Sequence, residues 1–196
     1  MCAPSHAMKA FPYERRRLSV ARFRSGGVRN GLVTVAAISR FRPVTAEELE
    51  TIVNPACVLM NVRASNFDEC LAAFGPLVHG HPAIVDPGMF MESVRAREAA
   101  VSTATEDHVA FPHARTEAVS RLFLVIGRSE TGVSFCPDRP VVHLVFLIGA
   151  PPHAITDYLG CVAWLAKRVR IPENRKILMH AESPEAFLRI IAAASS

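Results

Sequence analysis

Two apolar runs, Leu122 to Ile126 and Val141 to Ile148, constrain this chain more than any other feature; only His143 breaks the second. A strand with one wet face alternates apolar and polar residues, and these runs do not. They predict central strands covered on both faces, which requires helices above and below a sheet. The 196-residue chain supplies such helices at regular intervals. Thr45-Ala46-Glu47-Glu48 has the spacing of a capping box and predicts a short helix. Asn66 predicts the cap of a helix carrying Phe67, Leu71, Phe74 and Val78 on one face. Asp86-Pro87 sets an N-cap before a proline at the first helical position, and that helix reaches about Ala100. Its inward stripe is Phe90, Val94 and Arg97. Thr156 to Arg170 predicts a strong helix with Leu159, Val162, Ala163, Ala166 and Val169 on its apolar face. Asp157 at its start and Lys167, Arg168 and Arg170 at its end complement the helix dipole. Ser183-Pro184-Glu185 opens a last helix through Phe187, Leu188 and Ile191. Between the helices, Cys57 to Val62 and Val109 to Phe111 predict strands, and Gly132 to Phe135 a short edge strand. Strands interleaved with helices mean an α/β fold in one domain, residues 46–196.

The basic balance of the chain is local. Residues 1–45 hold nine Lys/Arg and one acid, whereas residues 46–196 hold thirteen Lys/Arg and seventeen acids, which together make the chain's net +4. Arg15-Arg16-Arg17, Arg22, Arg24 and Arg29 lie among Ser and Gly with little apolar periodicity. They predict a disordered basic arm, or sequence upstream of the true start. Clustered arginines neutralise phosphates, so nucleic acid or acidic lipid is the other reading of this arm. No nucleic-acid partner is expected for the folded body. A secretory signal is not expected, because no clean apolar core precedes a small-residue cleavage site. No apolar run is long enough to span a bilayer. The five cysteines, Cys2, Cys57, Cys70, Cys136 and Cys161, form no Cys-x-x-Cys pair. Their odd count without metal-ligand spacing suggests free thiols in a reducing, cytoplasmic setting and no metal.

The densest chemistry lies in residues 108–115, His-Val-Ala-Phe-Pro-His-Ala-Arg. Pro112 fixes its own φ and biases Phe111 away from helix, so His113 stands at a strand end beside a rigid neighbour. Neutral imidazole is nucleophilic near pH 7, and a guanidinium holds phosphoryl oxygens by charge-assisted hydrogen bonds. His113 with Arg115 therefore suits a covalent phosphoryl acceptor. The plainer reading is a surface histidine in a loop. Arg97, on an inward stripe, is either snorkelling or aimed into a site.

The stretch from Val94 to Arg115 resembles the signature of type-2 enzyme IIA domains of the sugar phosphotransferase system, the fructose, mannitol and nitrogen-regulatory class. Arg97-Glu98, Ser102-Thr103 and Val109 to Arg115 match in register. The resemblance covers roughly Glu47 to Ala194. It implies a mixed sheet flanked by helices and a phosphohistidine at His113, fed by the small carrier HPr without metal, nucleotide or organic cofactor. By the same resemblance Arg97 holds the equatorial phosphoryl oxygens, with Arg115 the second candidate. Thr103 donates a hydroxyl hydrogen bond to the phosphoryl group or caps the turn. Two positions depart from the pattern. His108 stands where a glycine is usual. Tyr158 stands where sugar-transporting members carry a second histidine, at the start of the helix after Ala150-Pro151. His153, in the preceding loop, is the other candidate for that place; on its own it reads as a solvated loop residue. His143, inside an apolar strand, reads as a hydrogen-bonded sheet histidine.

Three functions follow as expectations. One is a phosphocarrier passing phosphoryl to a permease IIB component. One is a regulatory module whose phosphorylation gates a transporter or kinase. One is a binding domain with the fold but no transfer. No permease is fused within the chain, and with Tyr158 this favours the regulatory reading.

Overall fold

The computed structural model describes residues 46–194. Every strand pairing in it follows from the two long apolar runs. β4 (Phe123–Val133) and β5 (Val142–Ala150) form an antiparallel pair from Phe123↔Gly149 to Val133↔Val142. Apart from His143, all of β5 is buried. β1 (Val58–Leu59) adds parallel to β4, while β2 (Val109–Ala110) and β3 (His113–Arg115) both add parallel to the far edge of β5. The sheet order is β1-β4-β5-β2, with β3 beside β5 further along the same edge. This is the expected α/β mixed sheet.

The break between β2 and β3 is Phe111-Pro112. Pro112 has no N–H to give, but its carbonyl accepts from Ile148 N at 2.9 Å, so the edge resumes in register at His113. Phe111 stacks on Phe146 at 5.6 Å, which anchors the interruption to the core.

Three helices begin where their caps predict, at Asn66, Asp86 and Ser183. Around the strands run α1 (Ala46–Ile52), α2 (Phe67–His79), α3 (Pro87–Ala100), α4 (Ile155–Val169), α5 (Pro172–Met179) and α6 (Pro184–Ala193). Asn66 Oδ1 accepts from Glu69 N at 2.9 Å, Asp86 Oδ1 from Met89 N at 2.9 Å, and Ser183 Oγ from Ala186 N at 3.1 Å. Leu71, Phe74 and Val78 of α2 and Phe90 and Val94 of α3 are buried, as their spacing requires.

One close approach sets where α3 lies. A Cβ on Gly149 would stand 2.1 Å from Phe123 Cε1, so only glycine lets the Phe123 ring lie across β5. That ring meets Phe90 of α3 edge-on at 5.2 Å. The Phe123 ring of β4, lying over Gly149 of β5, therefore packs against α3 beside the edge that carries β3.

α4 buries Gly160, Cys161, Trp164, Leu165 and Val169, so of its expected apolar face only Val169 is fully buried. Three further elements differ from expectation. Gly132 to Phe135 is not a separate strand: β4 runs on to Val133, with a register shift after Arg128 and Gly132 at φ +80°. A left-handed glycine lets the strand kink and resume pairing rather than end. Pro55–Cys57 forms a 3₁₀ turn, which leaves only Val58–Leu59 of the Cys57 to Val62 segment as strand; Val62 N still donates to Arg128 O at 2.7 Å. α5 has no counterpart in the pattern. Its sequence is polar, Ile171 offers no side-chain cap, and Leu178 is its only buried residue.

The described residues belong to one compact unit. The cap at Thr45 and the basic arm of residues 1–45 lie outside the described residues. Among those residues no helix is long and apolar enough to cross a membrane. Cys57, Cys70, Cys136 and Cys161 are free thiols, and burial pushes Cys70 and Cys161 up to about 12.

Candidate functional site

β3 presents His113 and Arg115 on one face and buries Ala114 on the other, as the two-residue period of a strand demands. α3 packs beside this strand, and its last turn delivers Arg97. Arg97 Nε donates to His113 Nε2 at 3.2 Å, and Arg97 Nη1 donates to the Val101 carbonyl at 2.8 Å. On the other side of the ring, His113 Nδ1 lies 2.8 Å from the Phe111 carbonyl. A carbonyl only accepts, so Nδ1 carries the proton and Nε2 keeps its lone pair. Arg97 is thus aimed into the site rather than snorkelling to solvent.

The electrostatics agree with that tautomer. Burial holds the His113 pKa below the ordinary 6.5; the Phe111 carbonyl acts the other way, Arg97 and Arg115 lower it further, and Glu98 raises it. Arg115 is exposed but near enough to act on the imidazole. The ring is therefore neutral and nucleophilic at pH 7.

Tyr158, in the first turn of α4, faces the histidine with ring centroids 5.1 Å apart. Burial raises its hydroxyl above 10, against the lowering by Arg97 and Arg115, so it is a neutral neighbour. His153 is exposed in the turn before α4, and among the described residues no hydrogen bond or ring contact joins it to His113. The position opposite His113 belongs to Tyr158.

Thr103 does not face the imidazole with its hydroxyl. Thr103 Oγ1 donates to Glu98 Oε2 at 2.7 Å, while Thr103 N and Ser102 Oγ both donate to Glu98 Oε1 at 2.7 Å. Glu98 is 6% exposed. The sequence motif contains this glutamate without showing what it does. The Val101 and Phe111 carbonyls were invisible to sequence reasoning, because backbone acceptors leave no residue-type signal. The one available hint was an Arg-Glu pair closing a helix, with Ser-Thr four and five residues beyond the glutamate.

His108 and His143 lie elsewhere. His108 adopts φ +62°, the left-handed region that explains the usual glycine. Its Nδ1 pairs with the Val141 carbonyl at 2.9 Å and its ring lies 5.7 Å from that of His143, so it turns to the start of β5 rather than to His113. His143 Nδ1 pairs with the Ser129 carbonyl at 2.9 Å, the hydrogen-bonded sheet histidine expected. Among the described residues no group of three or more His, Cys, Asp or Glu side chains is placed to hold a metal ion.

The site is thus a histidine that opens an edge strand of a mixed α/β sheet and is gripped between a carbonyl and a guanidinium. The chain belongs to the family described as phosphoenolpyruvate-dependent sugar phosphotransferase system, EIIA 2, whose model matches residues 51–194. It is 35% identical over 107 residues to the fructose-specific EIIABC component of Bacillus subtilis, covering 54% of this chain and only 17% of that protein. The nitrogen regulatory protein IIA-Ntr from Neisseria meningitidis has the same fold, with a TM-score of 0.67 at 24% identity over 72% of this chain and 97% of that one. So does enzyme IIA mannitol from Escherichia coli in its complex with phosphorylated enzyme IIB mannitol, with a TM-score of 0.61 at 21% identity over 71% and 96%.

Proposed function

We propose that His113 accepts a phosphoryl group on Nε2 from the phosphohistidine of an HPr-like carrier, and that the phosphorylated domain signals to a protein partner such as a transporter or kinase. The observation that carries this reading is the double grip on His113: Nδ1–H on the Phe111 carbonyl and Nε2 facing the Arg97 guanidinium. In the transfer, the Nε2 lone pair forms a new P–N bond while the donor's P–N bond breaks and its imidazole leaves with the electron pair. His113 gains positive character, which its Nδ1–H passes to the Phe111 carbonyl. Arg97 Nε–H loses its acceptor as the lone pair is used, and its fork is freed to hold the phosphoryl oxygens. Arg115, on the same face, is the second cation for that charge. The energy resides in the P–N bond, so no cofactor is required. Positioning and charge stabilisation are the protein's whole contribution. Thr103 acts through Glu98.

Tyr158 supports signalling over onward transport. A neutral hydroxyl stabilises a developing phosphoryl charge less than a cation would, by roughly 1 kcal/mol against 1.5–3 kcal/mol for charged partners. A slow discharge leaves a long-lived phospho-state, which suits a signal. Transport is the second reading, favoured by the likeness to the Bacillus subtilis fructose component; there His113 would pass its phosphoryl group to a IIB component. A cytoplasmic location is part of the proposal, supported by the buried free thiols.

Incubation with phosphoenolpyruvate, enzyme I and HPr, followed by intact mass, tests the reading. One acid-labile phosphoryl group is expected, absent in His113→Ala and retained in His143→Ala and in His180→Ala, an exposed residue at the end of α5. Label that persists in His113→Ala would remove His113 from the role.

A further inference from the structure

Arg97 is held at two points, and only one of them is the histidine. The other is the Val101 carbonyl, 2.8 Å from Nη1. Val101 follows the last residue of α3 in an extended conformation, φ −156° and ψ 120°, with its side chain 66% exposed. Neither the helix ladder nor packing of that side chain fixes its carbonyl. The next two residues are fixed, and by one group. The Glu98 carboxylate, one turn back on α3 and 6% exposed, accepts from Ser102 Oγ, Thr103 N and Thr103 Oγ1, each at 2.7 Å. Ser102 Oγ in turn accepts from Ala104 N at 3.3 Å. A carboxylate so deeply buried is costly unless its lone pairs are used, and here three donors from two consecutive residues use them. The clasp closes the chain just after α3 and fixes where the Val101 carbonyl points.

We propose that Glu98 is a positioning residue for transfer at His113: by clasping Ser102 and Thr103 it sets the Val101 carbonyl, which holds the Arg97 guanidinium with Nε on the imidazole. This rests on His113 being the phosphoryl acceptor. It also assigns Thr103 its part, as a donor to Glu98. The separation of Nη1 and Nε duties means that Arg97 keeps one anchor, Val101, when Nε2 becomes phosphorylated and its other contact is lost. Without the clasp the guanidinium has no fixed place during the reaction.

Glu98→Gln and Glu98→Ala separate clasp from charge. The glutamine oxygen still accepts from Ser102 Oγ and Thr103 N, and its amide still bonds Thr103 Oγ1, now as donor. Phosphorylation by phospho-HPr is followed against HPr concentration, and the side-chain ¹⁵N spectrum of the unphosphorylated protein reports the Arg97 Nε–H. Glu98→Ala is expected to lose about tenfold or more in maximal rate with half-saturation within twofold, and to lose the distinct Arg97 Nε–H signal. Glu98→Gln is expected to keep both, within threefold in rate. Should Glu98→Ala not fold, Thr103→Ala removes one of the three donors and is expected to lower the maximal rate about threefold and broaden the same signal. Wild-type rate and an unchanged Arg97 signal in Glu98→Ala, or in Thr103→Ala where that stands in, would overturn the positioning role alone. A loss in Glu98→Gln as large as in Glu98→Ala would also overturn it, since charge rather than the clasp would then matter. A wild-type protein that takes no phosphoryl group overturns the assignment of His113 and this role together.

Discussion

Arg97 Nε stands 3.2 Å from His113 Nε2, a contact between the last turn of a helix and an edge strand sixteen positions further along the chain. The bond does two things in sequence. Before transfer it donates to the lone pair and, with burial, keeps the imidazole neutral. In the transfer proposed for His113 it would release that lone pair and turn to the arriving oxygens.

Arg97→Lys keeps the charge and removes the planar fork, so it cannot hold Val101 and His113 together. Phosphorylation of His113 should slow by about tenfold, below the roughly 10²-fold typical of losing an oxyanion donor because a cation remains. The melting temperature should stay within a few degrees. An unchanged rate would shift the role to Arg115.

The pH dependence follows from the depressed His113 pKa. Burial first, then Arg97 and Arg115, favour the neutral ring. The reactive form therefore predominates above 6.5, and protonation removes it as pH falls through a midpoint lower than 6.5. The same depression makes the folded state bind fewer protons than the unfolded chain, so the associated stability is present above 6.5 and is lost on acidification through that midpoint. An NMR titration of His113 Cε1–H should show the low midpoint, and Arg97→Gln should raise it. A midpoint above 6.5 would mean that the Phe111 carbonyl and Glu98 outweigh burial.

Tyr158 gives a prediction about lifetime. Phospho-His113 should persist in the presence of sugar and a permease IIB domain. Tyr158→His should accelerate its discharge by about tenfold, the rate equivalent of roughly 1.4 kcal/mol of added stabilisation from a charged partner. Rapid sugar-dependent dephosphorylation of the unaltered protein would restore the transport reading.

Gly149→Ala tests how the core positions the site. Its Cβ would meet Phe123 Cε1 at 2.1 Å, so the ring must move, at a cost of about 1–3 kcal/mol for overpacking. Phe123 also touches Phe90 of α3, and Gly149 pairs with Ala114 of β3, so both walls of the site feel the change. Thermal denaturation should show a drop of several degrees, and phosphorylation should slow as well. A stable variant with an unaltered rate would show that the Phe123 ring is free to yield.

The helices and the two central strands were legible because their signals are local. Asn66, Asp86 and Ser183 cap the helices that follow them, each through its own side-chain oxygen, and a run such as Leu144 to Ile148 has no wet face in any register. Edges were harder. β1 shrank to two residues because Pro55–Cys57 took a 3₁₀ turn, and β4 ran through Gly132 because pairing with β5 resumed beyond the kink. α5 escaped notice because a polar helix with a single buried side chain carries almost no periodic signal.

At the site, a histidine after a rigid proline marked His113, while Arg97 on its inward stripe stayed open between snorkelling and a site; the resemblance to type-2 enzyme IIA domains is what pointed to Arg97 and Tyr158. Which ring nitrogen is free, where Thr103 spends its hydroxyl and what Glu98 holds were decided only by tertiary structure. Those answers depend on the Phe111 and Val101 carbonyls, on the Phe123 ring crossing Gly149 and on the approach of α3 to β3. Backbone acceptors are the same at every residue. Folding alone determines which of them reaches a given side chain.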